Sequence, residues 1–481
     1  MRLEQTLMTS TALSRRHFLA MTAAGAAGLS SCTKTGSTAE SESGPADVTL
    51  RIAPVLVEIA KDHTISTLGY NGSVPGPLIR LREGVPVTVD LFNDLDSPEL
   101  VHWHGQLVAA DVDGAEEEKS LVVPAHGHLR YRLTPGPSGT RWVHSHTMAG
   151  PDLSRGTYSG QFGLVYIEPK NNPGKYDQEF FLATHEWEPF YTSAEEEDEE
   201  ELGEPPPGLK KDEKPNGWEI GYQRFTINGK ALGFGDPLRV KEGQRVLFHI
   251  LNASATENIK LALSGHKFQV VALDGNPVPV PGSVDVLELG TGERIDAVVE
   301  MKNPGIWVLG TPKDDDRRDG MGIVMEYAGK TGSPRWMAPA KKPWDYTAFG
   351  EDRDSPAPDE VIAMAFGKIN GGTGEFNRWT INGKGYDEKD QPRALMKGRR
   401  YRLAFDNQTD DAHPVHLHRN IFELTRVHGK RTAGVRKDVV LVKGYRKIDV
   451  DFTPEQTGLT LFHCHQQLHM DYGFKTVFDV K

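Results

Sequence analysis

Trp379-Thr380-Ile381-Asn382-Gly383, with Gly398-Arg399-Arg400-Tyr401-Arg402-Leu403-Ala404-Phe405-Asp406-Asn407 behind it, is the third copy of a pattern that occurs three times. The second copy is Phe225-Thr226-Ile227-Asn228-Gly229, followed by the stretch from Gly243 to Asn252. The first is Tyr70-Asn71-Gly72, followed by the stretch from Gly84 to Asn93. In each copy nine positions separate the second glycine from the closing asparagine, and the Asn-Gly steps recur 157 and then 154 residues apart. Asn-Gly is a tight-hairpin signal, and the alternating stretch after the second glycine reads as a strand. A period this long means duplicated domains rather than a solenoid. The expected fold is therefore all-β. Three consecutive Greek-key β-sandwich domains are placed at 47–170, 176–330 and 359–481, with a proline-rich linker over 331–358. A content of 50 glycines and 31 prolines in 481 residues, with few long amphipathic runs, agrees with a turn-rich β protein.

The downstream halves of the copies also correspond. Thr140-Arg141-Trp142-Val143-His144-Ser145-His146 aligns with Leu459-Thr460-Leu461-Phe462-His463-Cys464-His465. The middle copy has Gly305-Ile306-Trp307-Val308-Leu309-Gly310-Thr311, with no histidine at either position. Metal chemistry is thus expected in the first and third domains, and the middle one reads as a spacer and part of a substrate-facing wall. Cys464 is one of two cysteines, the other being Cys32, so no structural disulfide is expected. In a strand Cys464 points to one side, and His463 and His465 point to the other. One short segment can bind a metal through sulfur and reach a second site through two imidazoles.

Four His-x-His pairs occur: His102/His104, His144/His146, His416/His418 and His463/His465. Each pair on a strand projects two rings from one face, and eight imidazoles meeting across a domain interface could hold three copper ions. His413 stands three residues before His416 and can turn the other way. With Cys464 and His469 it makes a His2Cys set of the blue-copper kind.

These segments, Val101-His102-Trp103-His104-Gly105, His144-Ser145-His146, His413-Pro414-Val415-His416-Leu417-His418 and His463-Cys464-His465-Gln466-Gln467-Leu468-His469, resemble the four copper motifs of the laccase-like multicopper oxidases. The resemblance implies three cupredoxin-like domains and four copper ions. It implies a type 1 copper on His413, Cys464 and His469, and a type 2 copper on His102 and His416. It implies a type 3 pair on His104, His144, His146, His418, His463 and His465. It further implies an acid after the first motif, here Asp113, as a proton relay, the bland reading being an Asp-Gly turn residue. This chain departs from the family in three places. Phe474 stands at the axial position, so a three-coordinate type 1 copper with a raised potential is expected; Met470 has the wrong spacing to replace it. Arg419 follows His418 where many relatives have glycine, and is expected to ion-pair near a domain interface. Leu468 replaces a carboxylate found in some relatives.

Ser14-Arg15-Arg16-His17-Phe18-Leu19 reads as a twin-arginine export signal ahead of a short apolar stretch, giving 1–31 as signal and 32–46 as flexible tether. Leu29-Ser30-Ser31-Cys32 resembles a lipoprotein box; either Cys32 is lipidated and anchors the protein to a membrane, or cleavage is ordinary. The expected location is the periplasm or cell surface. A net charge of −12 argues against a nucleic-acid partner. The acidic run over 195–201 reads as a solvated loop in preference to a cation-attracting lip. His17, His63, His126, His128, His185, His249, His266 and His428 fall in no pattern and are taken as surface or core. The expected activity is one-electron oxidation of phenols or aromatic amines coupled to reduction of oxygen to water, with Cys464, His469 and Asp113 as the reacting groups. The alternatives are a metallo-oxidase acting on Cu(I), Fe(II) or Mn(II), or a copper-free envelope protein of the same fold. The 11 methionines are scattered, so no methionine-rich segment favours copper ions as donor.

Overall fold

The computed structural model describes residues 44–170, 176–193, 217–340 and 342–481. The export segment, Cys32, most of the tether and the acidic run lie outside the described residues.

The three Asn-Gly steps are the same turn. Asn71, Asn228 and Asn382 each have φ 53°, and Gly72, Gly229 and Gly383 have φ 76°, 71° and 76°. Two successive left-handed residues are what a tight hairpin demands, and Asn-Gly meets that demand at least cost. The asparagine side chain also acts identically each time. Its Oδ1 accepts the amides of Arg51, Ala183 and Ala365 at 2.7, 2.8 and 2.8 Å. Its Nδ2 donates to the carbonyls of Thr49, Phe181 and Ala363 at 2.8, 2.9 and 3.0 Å. The side chain thus pairs with the leading strand of its own sandwich. The closing asparagines Asn93, Asn252 and Asn407 are buried and tie neighbouring loops by donating to the carbonyls of Val123, Leu289 and Val442.

Each repeat folds into two packed sheets. The leading strands Val48–Ala60, Gln178–Trp187 and Glu360–Ile369 run parallel to Val87–Asn93, Arg245–Asn252 and Tyr401–Asn407. In the opposite sheets Ile79–Arg82, Leu238–Val240 and Arg393–Leu395 run parallel to Phe162–Glu168, Gly322–Tyr327 and Lys475–Val480. Parallel neighbours need long crossovers, which here pass between the two sheets. Alternation sets the core: Val48–Ala60 buries Val48, Leu50 and Ile52 and exposes Thr49 and Arg51. One apolar core runs through the middle and third sandwiches, and the first has its own around Val89, Trp103 and Val143.

The stretch 331–358 is strapped to the molecule. Arg335 bridges to Trp307, with its guanidinium 4.1 Å from the ring centroid. The turn Tyr346–Phe349 is capped by Asp345, which accepts the Thr347 amide at 3.0 Å, and it buries Tyr346 and Phe349.

Candidate metal centre

Strand Val101–His104 lies antiparallel to Gly139–Ser145, placing His102 opposite His144. Strand His413–Leu417 lies antiparallel to Gly458–Cys464, placing His416 opposite His463 and Val415 opposite Cys464. Alternation sends His102 and His104 to one face, while Trp103 turns into the first core and donates Nε1–H to the Tyr131 hydroxyl at 2.6 Å. The same alternation separates His413 and Cys464 from His416 and His463. The eight histidines of the four pairs meet where the first and third sandwiches face each other. His413, Cys464 and His469 gather inside the third, the last from the short helix Gln467–Asp471.

Four groups of three ligand atoms form, each within 4.8 Å: His102/His104/His416, His104/His144/His465, His146/His418/His463 and His413/Cys464/His469. A fifth group adds Asp113 to His102 and His418. All ten histidines and Cys464 are buried. Burial pulls the ring pKa of nine of these histidines below the ordinary range, for His463 to about 3 and for His413 to about 4. These rings are therefore neutral, the form that ligates metals. Burial likewise pushes the Cys464 thiol far up, so ligation there releases a proton.

The partners of the second ring nitrogens decide which nitrogen carries the proton, because a carbonyl or carboxylate only accepts. His102 donates Nδ1–H to Asp113 O at 2.8 Å, and His416 to Asp438 O at 2.7 Å. His144 and His463 donate theirs to Ser145 O at 2.9 Å and Cys464 O at 2.7 Å. His418 donates Nδ1–H to Asp113 Oδ2 at 2.8 Å, and His104 donates Nε2–H to Asp438 Oδ1 at 3.0 Å. Thr409 Oγ1 donates to Asn407 Oδ1 at 2.8 Å and so accepts His413 Nε2–H, also at 2.8 Å. Bare nitrogens then point inward. Among the described residues Nε2 of His102, His146 and His416 has no hydrogen-bond partner, and neither ring nitrogen of His465 has one. His418 Nε2 and His463 Nε2 stand 3.0 Å apart, and His104 Nδ1 and His144 Nε2 stand 3.3 Å apart, with no proton for either contact. Lone pairs facing at that range, out of water, repel unless a cation lies between them. The residues therefore fit metal ions. The sulfur site fits the same way: Cys464 Sγ lies 3.8 Å from His413 Nδ1 and 3.5 Å from His469 Nδ1, and those nitrogens are 3.1 Å apart. The Phe474 ring packs 4.7 Å from that of His413 and offers no donor atom.

The pattern in the sequence left four contributors unseen. Asp438 and Arg294 are distant in sequence from the ligands they serve. Trp142 stacks on His144 at 4.1 Å and also meets His104 and His465; it had been quoted only for its place in the repeat. Glu118 lies 3.6 Å from His418 Nδ1 and accepts the Leu461 amide at 2.7 Å. Arg419 has φ 56°, a left-handed conformation that glycine adopts more readily than arginine. It reaches across to the first sandwich at Val108 O, 2.9 Å away, and at Glu118, 3.9 Å away, and it also donates to Thr457 O and Leu459 O of its own sandwich. His126 and His128 bind different acids, Asp96 and Asp90, and join no ligand group among the described residues. His63 pairs with Glu188, and His185 and His249 are buried.

Three family profiles, each described as Multicopper oxidase, match residues 52–172, 204–321 and 364–481. The Multicopper oxidase MmcO of Mycobacterium tuberculosis is 29% identical, over 95% of this chain and 92% of that protein. Among solved structures, the laccase from Botrytis aclada matches with TM-score 0.71 at 20% identity, over 90% of this chain and 87% of that one. The multicopper oxidase from Campylobacter jejuni, described as a metallo-oxidase, matches with TM-score 0.67 at 20% identity, over 92% and 93%. The all-β sandwiches, the copper-fitting groups and the three matched segments lead to one assignment: the chain belongs to the multicopper oxidase family, oxygen-using oxidoreductases built of three cupredoxin-like domains.

Proposed function

We propose that the protein is a laccase-like oxidase, taking electrons singly from phenols or aromatic amines and passing them to oxygen. The reading puts a type 1 copper on His413, Cys464 and His469, a type 2 copper on His102 and His416, and a type 3 pair on the remaining six histidines. Copper so held supplies one-electron transfer at the sulfur site and four-electron reduction of oxygen at the histidine cluster. The chain does the rest. His469 is the outermost ring of the sulfur group and would be the path by which a donor's electron reaches a copper held there. Cys464 is bonded through the backbone to both His463 and His465, a through-bond route between the two sites. Asp113 holds His418 through Oδ2, and its Oδ1 has no hydrogen-bond partner among the described residues, so it is placed to hold a proton that oxygen reduction consumes. Phe474 leaves the sulfur site without a fourth ligand and raises its potential.

The observation that carries the choice of donor is the group of partly exposed rings, Tyr472, Phe376, Tyr191 and Trp218, that adjoins the short helix of His469. Trp379 is fully buried and only braces His469, stacking on that ring at 4.0 Å and 26° with its Nε1–H on Asp411 Oδ2 at 3.0 Å. Phe376 stacks on Tyr472 at 4.2 Å, and Tyr191 meets Phe376 and Trp218 edge-on or tilted within 5.6 Å. Such a group suits a flat aromatic donor. The nearby carboxylates Asp410 and Asp411 share a single cation, Lys368, at 2.9 and 2.7 Å, which leaves one negative charge of the pair unbalanced and is the feature a metal-ion donor would use. The metallo-oxidase reading draws on the acidic run over 195–201, which falls in sequence between strands Phe190–Thr192 and Glu219–Gly221 and lies outside the described residues. A full and assembled ligand set argues against a copper-free envelope role. The signal Arg15-Arg16 supports twin-arginine export to the periplasm or cell surface, with Cys32 as a candidate lipid anchor.

Oxygen uptake by the copper-loaded protein tests the donor, comparing a methoxyphenol with cuprous and ferrous ions. Fast uptake with the phenol, lost in Cys464→Ser, is expected. Uptake with the metal ions alone would replace this reading with the metallo-oxidase.

A further inference from the structure

The middle sandwich carries no ligand, yet it reaches the histidine cluster with an arginine. Six ionisable side chains from all three sandwiches meet with at most 1% exposure: Arg141 from the first, Asp274, Glu293 and Arg294 from the middle, and Lys437 and Asp438 from the third. Three cations balance three carboxylates, the condition under which charges can be held away from water.

Arg294 grips Asp438 with both prongs, Nη1 to Oδ1 and Nη2 to Oδ2, each at 2.7 Å. Its other contacts are the carbonyls of Gly292, Asp274 and Thr140 at 3.0, 3.2 and 3.3 Å. Asp274 Oδ2 accepts the amides of Asp438 and Val439, both at 3.1 Å, and lies 3.0 Å from Lys437 Nζ. Lys437 Nζ is also 3.0 Å from Glu293 Oε1, which accepts the Tyr346 hydroxyl at 2.6 Å. Arg141 adds a 3.4 Å contact to Asp438.

Asp438 faces the ligands from this knot. Its Oδ1 accepts His104 Nε2–H and its carbonyl accepts His416 Nδ1–H. Two glycines leave room here, Gly105 for the arginine and Gly292 for the His465 ring. A Cβ on Gly105, next to His104, would lie 2.6 Å from Arg294 Nη2 and 2.7 Å from Asp438 Oδ2. A Cβ on Gly292 would lie 2.8 Å from the His465 ring.

We propose that Arg294 is a positioning residue for the histidine cluster: by fixing the Asp438 carboxylate it sets which nitrogen His104 presents, so the ligand-free middle sandwich controls the geometry of a site it does not ligate. The proposal rests on the copper reading above. Outer partners of this kind are worth about 10–100-fold in metal affinity or activity.

The test is Arg294→Lys in the full copper-loaded chain, which keeps the charge and loses the second prong. Copper per chain, the absorption and magnetic coupling of the type 3 pair, the blue absorption of the type 1 copper and the melting temperature are read together. The expected result is an intact blue band and near-normal melting, with the type 3 coupling weakened or copper lost from the pair and oxygen uptake down about tenfold. An unchanged type 3 signature and copper content would overturn the proposal. So would loss of the blue band together with the type 3 signature in a folded chain. If Arg294→Lys does not fold, Asp438→Asn, equal in shape, decides the same question: an altered type 3 signature with the blue band kept supports it, and an unaltered one overturns it. A wild-type chain that takes up no copper at the histidine cluster would instead remove the reading underneath.

Discussion

His249 should make the docking of the first and middle sandwiches alkali-sensitive. The ring lies between them: Nδ1 is 2.8 Å from Thr140 Oγ1 and 3.0 Å from Asp296 Oδ1, and Nε2 is 3.6 Å from Glu179 Oε2. It stacks on Phe181 at 4.3 Å and meets Tyr166 at 5.0 Å. Arg80 and Tyr176 also contact Glu179. Burial alone would lower the ring pKa, but the charge and hydrogen bond of Asp296, and then Glu179, outweigh burial and push it up to about 9. Glu179 is held down to about 2, first by its interaction with the nearby His249 ring and then by Arg80. The two shifts share one interaction and count once. A folded pKa above the unfolded value of about 6.5 gives stability that is full below pH ~6.5 and lost as pH rises through ~9. Some 2.5 units at about 1.4 kcal/mol each amount to roughly 3 kcal/mol. The assay is thermal melting of wild type and His249→Gln from pH 6 to 10. The gap between the two should be largest near pH 6 and close as pH passes 9. A gap that stays constant across that range would refute the reasoning, because the ring would then contribute packing and not charge.

Three further outcomes are expected. Arg419→Gly relieves about 1–2 kcal/mol of left-handed strain but removes buried charge-assisted bonds worth about 1.5–3 kcal/mol each, so urea unfolding should show a net loss of roughly 3 kcal/mol. Phe474→Met places a thioether by the sulfur site, and a redox titration followed at the blue band should give a lower potential; an unchanged value would mean the new sulfur does not reach the metal. Asn71→Ala, Asn228→Ala and Asn382→Ala each lose two backbone-mimicking hydrogen bonds, and each should cost about 2 kcal/mol in urea, with similar values at all three sites.

The gathering of the histidines was legible because strand alternation writes itself into sequence as His-x-His, and His413 could be separated from His416 by the same parity. The three sandwiches were legible because each Asn-Gly turn needs two left-handed residues, a demand few dipeptides meet. Arg294 and Asp438 were not legible. They are 144 residues apart, and nothing local in either segment announces a partner that only the fold supplies. The stretch 331–358 read as linker from its prolines, yet it packs, because Trp307 and the Glu293 carboxylate offer Arg335 and Tyr346 specific partners. Arg419 was noticed as a departure from glycine; its left-handed backbone and its contacts with Val108 and Glu118 required coordinates.

The central claim is that Cys464 with His413 and His469 holds one copper and the eight paired histidines hold the others. Copper content and absorption of the wild-type protein and of Cys464→Ser test it most directly. The account predicts about four coppers per chain and a strong blue band in the wild type, with about three coppers, no blue band and a surviving type 2 resonance in the variant. A blue band that persists without the Cys464 sulfur, or a variant that loses the histidine-cluster copper as well while still folded, would contradict it.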